Sequence, residues 1–262
     1  MSVKILIMTY RLLTKQTFSA KMIKLKDTER NNRMKKTLCL ALALLTVLAL
    51  LTSCKIQKQE VVEEETTAVE THIAPTEEQI DLSEIASLEG VTESQEQTDY
   101  VLISVEGYGQ MLVRLYPDVA PKTVANFKDL VSKKFYDGLI FHRVIKNFMI
   151  QGGDPLGTGM GGSGTDIFGE FTDNGFENNL HHRRGVVAMA RSNDPNSASS
   201  QFYICHKDSG VAGINGQYAT FGYVVYGIDV VDKIAKVNTN SNDKPLKNVV
   251  ITSIRFANVP QN

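Results

Sequence analysis

Between Phe141 and Pro155 the chain reads Phe-His-Arg-Val-Ile-Lys-Asn-Phe-Met-Ile-Gln-Gly-Gly-Asp-Pro. Phe141, Val144, Ile145, Phe148 and Ile150 are β-branched or aromatic residues of the kind that fill a sheet, yet Arg143 and Gln151 stand among them where an apolar residue would fit. A polar side chain on a strand either faces solvent on the alternate side of a half-buried sheet or is kept for a partner. Arg143 brings rigid planar donors and a charge that does not titrate, which suits electrostatic work on a reacting centre.

The other chemistry-bearing patterns are weaker. Gly157-Thr158-Gly159-Met160-Gly161-Gly162 has the spacing G-x-G-x-x-G, but no βαβ unit surrounds it and no helix follows, so it reads as a mobile surface loop flanking a groove. No Lys-Ser or Lys-Thr is present there for a phosphate loop. His181-His182-Arg183-Arg184 has adjacent histidines, which point opposite ways in an extended chain, and no further ligand lies at metal spacing; it reads as a solvated loop. Ser163 lacks the full nucleophile-elbow pattern. No metal and no cofactor is expected.

Phe-His-Arg-Val-Ile-x-x-Phe-Met-Ile-Gln-Gly-Gly-Asp closely resembles the signature of the cyclophilin family of peptidyl-prolyl isomerases. The resemblance runs from about Tyr100 to about Phe256 and takes in Gly169-Glu170-Phe171, Ser200-Gln201-Phe202-Tyr203-Ile204 and Phe221-Gly222. It implies an eight-stranded barrel, a catalytic set of Arg143, Phe148 and Gln151, and a substrate-binding set of Met149, Ala190, Gln201, Tyr203, Ile214 and Tyr218. In that set Phe148, Met149 and Tyr203 form an apolar cup for a proline ring, and Gln151, Ala190 and Gln201 align the peptide backbone. The chain departs from the best-known members where Tyr203 replaces a frequent Phe, Arg191 a frequent Asn and Tyr218 a frequent His. The position often held by Trp falls near Gly213. That residue helps bind cyclosporin, so cyclosporin-type ligands are expected to bind weakly here.

The implied chemistry is rotation about a Xaa-Pro bond, whose barrier of roughly 18–20 kcal/mol comes from amide resonance. In the twisted amide the proline nitrogen becomes pyramidal and gains a lone pair. A fixed guanidinium that donates to it, or to the displaced carbonyl, binds the transition state better than either ground state. Shortening a process of about 10–100 s to about a millisecond takes roughly five decades, or ~7 kcal/mol. One hydrogen bond does not reach that, so grip on the ring must contribute.

Several elements must position these residues. Tyr100 to Val105 and Gln110 to Tyr116 read as strands joined by the Gly107-Tyr108-Gly109 turn. Pro121 opens a helix whose Val124, Phe127, Leu130 and Val131 form one apolar stripe. Gly185 to Ala190, Gln201 to Cys205, Ala219 to Val225 and Val249 to Phe256 read as later strands, with a second helix over about Ile228 to Lys236. The expected fold class is mostly β, a closed eight-stranded antiparallel barrel capped by two α-helices.

The chain ahead of Tyr100 differs in kind. Residues 1–33 read as a mis-called start, because Met34-Lys35-Lys36 and the apolar run Thr37 to Leu51 form the basic and apolar regions of an export signal over 34–53. Leu51-Thr52-Ser53-Cys54 resembles a bacterial lipobox, which makes Cys54 the lipidation site; an uncleaved anchor is the alternative. Residues 55–99 hold 13 acidic against 2 basic residues and no aromatic, and 54–99 reads as the lipidated Cys followed by an acidic disordered spacer. From Tyr100 to the end 14 acidic residues face 16 basic ones, a balance that supports no nucleic-acid partner. Of the three cysteines, Cys205 lies in a strand-like run and reads as a buried inert thiol.

The expected protein is therefore an extracytoplasmic enzyme, lipid-anchored to a bacterial cell membrane, with its isomerase domain over 100–262. Its partners would be proline-containing segments of unfolded or partly folded exported proteins. The competing expectation is a proline-peptide binding module or holdase whose turnover is incidental.

Overall fold

A computed structural model describes residues 74–260. The export signal, the lipobox and Cys54 lie outside the described residues. Among those described, no helix is long and apolar enough to cross a membrane.

Among the described residues nine strands form one antiparallel sheet: β1 (Thr92–Glu93), β2 (Tyr100–Val105), β3 (Gly109–Leu115), β4 (Arg143–Ile145), β5 (Met149–Gly152), β6 (Val186–Met189), β7 (Phe202–Cys205), β8 (Thr220–Tyr226) and β9 (Ile251–Asn258). Their order is β1-β9-β2-β3-β8-β6-β7-β5-β4. Eight of them belong to the expected domain, and β1 adds a two-residue edge beside the end of β9. The ladder is not closed. Across the gap between β4 and β9 only an isolated bridge, Ile140 to Val250, and short-range backbone bonds such as Phe141 N to Val249 O at 2.9 Å join the flanking segments. Among the described residues three α-helices accompany the sheet where two were expected: α1 (Pro121–Ser132), α2 (Asp208–Val211) and α3 (Ile228–Ile234). At four residues α2 is too short to leave a periodic signal in sequence.

Strand alternation separates two apolar bodies. Val144, Ile150, Phe202, Ile204, Val187 and Met189 face inward with Val101, Ile103, Phe127, Tyr136 and Phe221, where Phe127 packs edge-on to Phe202 with ring centres 5.6 Å apart. Met149, Tyr203, Cys205, Val186 and Ala188 face the other way and form a second cluster with Tyr116, Leu180 and Val211. Strands β6 and β7 are consequently buried on both faces.

Helix α1 starts without a side-chain cap of its own; its N-cap residue is Ala120 and Pro121 opens it. The buried Glu170 supplies the cap from a distant segment, accepting from Lys122 N at 3.0 Å, Thr123 N at 2.8 Å and Thr123 Oγ1 at 2.7 Å. A carboxylate at a helix N-terminus satisfies orphan amides and opposes the helix dipole.

The acidic stretch requires a correction. Residues 74–99 were expected to be disordered, but they pack on the sheet. Ile85 N donates to Val225 O at 2.8 Å and Ser94 N to Phe256 O at 2.8 Å. Ile85, Leu88 and Val91 cover Leu102, Leu112, Val225 and Ala257. The acids stay at the surface, several of them paired, while the few apolar residues are shared with the domain; composition averaged over the stretch hid that division. Only residues 55–73 of the expected spacer remain outside the described part.

Replacing Glu170 by Ala leaves two amides and a hydroxyl without their buried acceptor. The variant is expected to lose about 2–3 kcal/mol of unfolding free energy in urea titrations, with Glu170→Gln losing less.

Candidate active site

The strand register assembles the site. Arg143 on β4 lies opposite Gln151 on β5, and Gln151 lies opposite Tyr203 on β7. Residues opposed across a ladder share a face, so these three side chains form one row on the outer face of the sheet. Met149 is on the same face, two residues before Gln151. Phe148 ends the tight turn that joins β4 to β5, closed by Phe148 N to Ile145 O at 3.0 Å.

That turn is held from outside. Asn147 adopts φ 67°, a left-handed conformation that Asn tolerates better than most residues. Its N–H donates to His206 Nδ1 at 2.9 Å, and His206 N donates to Phe148 O at 2.8 Å. With Nδ1 accepting, His206 Nε2 is left to face Asp232 Oδ1 at 3.1 Å. Gly210 of α2 packs so close that a Cβ there would lie 1.9 Å from Asn147 O.

Eight of the nine expected site residues, Arg143, Phe148, Met149, Gln151, Ala190, Tyr203, Ile214 and Tyr218, line one cavity of about 160 Å³. Arg191 is the remaining wall. The ninth, Gln201, sits beside it: Gln151 Nε2 donates to Gln201 Oε1 at 2.8 Å, and Gln201 Nε2 donates to the carbonyls of Gly159 at 3.0 Å and Gly161 at 2.7 Å. A larger cavity of about 470 Å³ continues past Gln151 and Gln201, under the glycine-rich loop.

Asp154 shapes that loop. It accepts from the amides of Leu156 and Thr158, each at 2.8 Å, and Gly159 at 2.6 Å. Burial opposes the Asp154 carboxylate, but these amides and that of Gly161 outweigh it and hold the carboxyl below its ordinary value. A Cβ at position 161 would meet Asp154 Oδ1 at 2.1 Å, which explains the small residue there without any phosphate ligand.

Arg143 is 43 % exposed, and its charge partner is Asp243, Nε to Oδ2 at 3.5 Å. Across the cavity Arg191 lies 4.8 Å over the Tyr218 ring and donates from Nε to Gln217 O at 3.0 Å. It therefore orients the aromatic wall. Tyr218 in turn meets Tyr203 edge-on, with ring centres 5.7 Å apart.

The Tyr203 hydroxyl has its own arrangement. It lies 2.8 Å from His182 Nε2, while His182 Nδ1 is 3.1 Å and His182 N 2.6 Å from Asn215 Oδ1. Since Asn215 Oδ1 can only accept, Nδ1 carries the proton and Nε2 accepts from Tyr203. Burial pulls the His182 pKa down to about 4, against the Asn215 bond that raises it. His181, by contrast, points away to Glu77 Oε2 at 2.9 Å. Cys205 is buried, and burial pushes its thiol pKa up, so it is not a thiolate at neutral pH.

The family model described as cyclophilin type peptidyl-prolyl cis-trans isomerase matches residues 100–256, more than half of the chain. This chain belongs to the cyclophilin family. Among curated relatives, the cyclophilin domain is 43 % identical over 140 residues to a Schizosaccharomyces pombe peptidyl-prolyl cis-trans isomerase, covering 53 % of this chain and 87 % of that one. An Arabidopsis thaliana peptidyl-prolyl cis-trans isomerase is 41 % identical over 147 residues, 56 % of this chain and 89 % of that one. A solved Cryptosporidium parvum cyclophilin, obtained in the presence of the dipeptide Ala-Pro, matches with TM-score 0.54 and 33 % identity over 60 % of this chain and 98 % of that chain.

Three features around this cyclophilin site escaped the sequence. His182 reads as part of a solvated loop, and Asn215 and Asp243 carry no signal, because each matters only through a contact made far along the chain. The adjacency of Asn240, Asn242 and Asp243 marks a tight polar turn but not where it docks.

His182 gives a pH prediction. Its folded pKa lies below the unfolded value of about 6.5, so between about pH 6.5 and 4 the unfolded chain binds the extra proton and acid weakens the fold. The His182 share of the loss is expected to be on the order of 3 kcal/mol across that window, so urea titration at each pH should show a loss smaller by about that amount in His182→Asn than in wild type.

Proposed function

We propose that this cyclophilin domain accelerates cis-trans isomerisation of Xaa-Pro bonds in exported proteins, working from a lipid anchor at Cys54. The observation that carries the catalytic part is the single outer-face row of Arg143, Gln151 and Tyr203 beside Phe148 and Met149. A proline ring seated against Phe148, Met149 and Tyr203 brings its amide under Arg143. Twisting that amide creates a lone pair on nitrogen, and the guanidinium donates to it. Gln151 uses a donor on Gln201, which orients its carbonyl oxygen for a backbone N–H of the client. Gln201, held by two loop carbonyls, is a rigid second guide.

No proton leaves or arrives in this mechanism. Burial holds His182, and likewise His142 and His206, below the ordinary histidine value. The rate is therefore expected to be nearly flat between about pH 6 and 8; a bell-shaped profile would argue for acid-base catalysis.

The export and anchoring part rests on the apolar run Thr37 to Leu51 and on Leu51-Thr52-Ser53-Cys54 alone. Radiolabelled fatty acid should enter the protein in a lipoprotein-competent bacterium and be lost in Cys54→Ala.

A protease-coupled assay on a Xaa-Pro tetrapeptide tests the enzymatic part. Wild type should speed the slow phase, and Arg143→Ala should lose at least ~100-fold, about 2.7 kcal/mol, while remaining folded. If neither protein accelerates it and wild type still binds the peptide, the domain is a proline-peptide binding module and the enzyme reading fails.

A further inference from the structure

We infer that residues 74–85, which precede the family match, form a positioning strap for the proline pocket, holding His182 and through it Tyr203 and the Ile214 loop. The activity readout of this inference rests on the isomerase reading above; its binding readout does not.

The contacts alternate along one extended segment. Residues 179, 181 and 183 turn outward to the strap: Asn179 Nδ2 donates to Pro75 O at 3.0 Å, His181 Nδ1 faces Glu77 Oε2, and Arg183 pairs with Glu77 Oε1. Residues 180 and 182 turn inward and are buried. Leu180 joins the cluster that contains Ile80, Met149 and Tyr203, with Leu82, Phe148, Ile214 and Tyr218 packed against it. His182 reaches the Tyr203 hydroxyl and Asn215. A period of two places the polar strap contacts of residues 179, 181 and 183 on one side and the buried side chains of Leu180 and His182 on the other, where Leu180 also meets the apolar strap residues Ile80 and Leu82 in one cluster.

The strap itself is fixed at both ends of this grip. Ile80 is 7 % exposed. Asp81 pairs with Arg114 through its carboxylate and accepts from Tyr116 Oη at 2.5 Å through its backbone carbonyl. Ile85 continues onto β8 through Val225. Segment 179–183 lies outside the named strands, and the strap meets it through the side chains of Asn179, His181 and Arg183. A shift of the strap therefore moves His182, and with it both the floor of the cup at Tyr203 and the wall at Ile214.

The test uses the full chain with Ile80→Ser, Glu77→Arg, and Glu77→Arg combined with Arg183→Glu. None of these residues lines the pocket. For one uncharged Xaa-Pro tetrapeptide, kcat, KM, equilibrium Kd and the melting temperature are measured. Loss of ring grip affects ground state and transition state alike, so KM and Kd should rise together, about fivefold or more in Ile80→Ser, with kcat within about twofold. Glu77→Arg alone should raise both about two- to fivefold, the range of an exposed ion pair, and the charge swap should return them to near wild type. Variants that melt earlier but keep wild-type KM and Kd would show the strap to be a stability element only and overturn the inference, as would a charge swap that restores nothing. Should Ile80→Ser not fold, the two Glu77 variants decide alone. A wild type that binds without turnover defeats the isomerase reading, and Kd still decides the strap.

Discussion

The antiparallel register of β4, β5 and β7 is the constraint on which the site depends. Pairing Arg143 with Gln151 and Gln151 with Tyr203 places a cation, an amide and an aromatic ring on one face without any loop having to carry them there. A slip of one residue in either ladder would send Arg143 or Tyr203 into the core occupied by Val144, Ile150 and Ile204, where an unpaired guanidinium would be very costly. The core thus enforces the site: the same alternation that buries Ile150 presents Gln151.

Around this row, the parts of the cup are further fixed by side-chain contacts beyond the ladder. Phe148 is fixed through Asn147 to His206 and Asp232, Tyr218 through Arg191, and Tyr203 through His182 to Asn215. Tyr203 illustrates the trade. A buried hydroxyl in place of a ring hydrogen demands an acceptor, and the neutral His182 supplies it. The same demand makes His182 a junction between pocket, loop and strap.

Much of this was legible in the sequence because it is local. The run Phe141 to Pro155 declares two strands and a turn, and the polar intruders Arg143 and Gln151 mark its outer face. Helix α1 announces itself by Pro121 and its apolar stripe, although its cap, Glu170, is remote and was visible only as part of a motif. What stayed hidden is non-local. The stretch 74–99 read as disordered because Glu, Thr, Gln and Ser dominate the acidic segment it belongs to, yet Ile80, Ile85, Leu88 and Val91 need little mass of their own when the sheet provides the rest of the core. Sheet closure was likewise not a local property. The ladder stays open between β4 and β9, bridged only by the segments that enter them.

The central claim is that Arg143 acts on the twisted amide and not on the resting peptide. Exchange NMR on a Xaa-Pro peptide saturating the protein measures the on-enzyme cis-trans rate and the peptide Kd in one sample, for wild type and Arg143→Lys. A flexible ammonium keeps the charge and loses the rigid planar donors, so the on-enzyme rate should fall by about tenfold or more with Kd within about twofold. An unchanged on-enzyme rate with a weakened Kd would place Arg143 in substrate binding alone and contradict the mechanism.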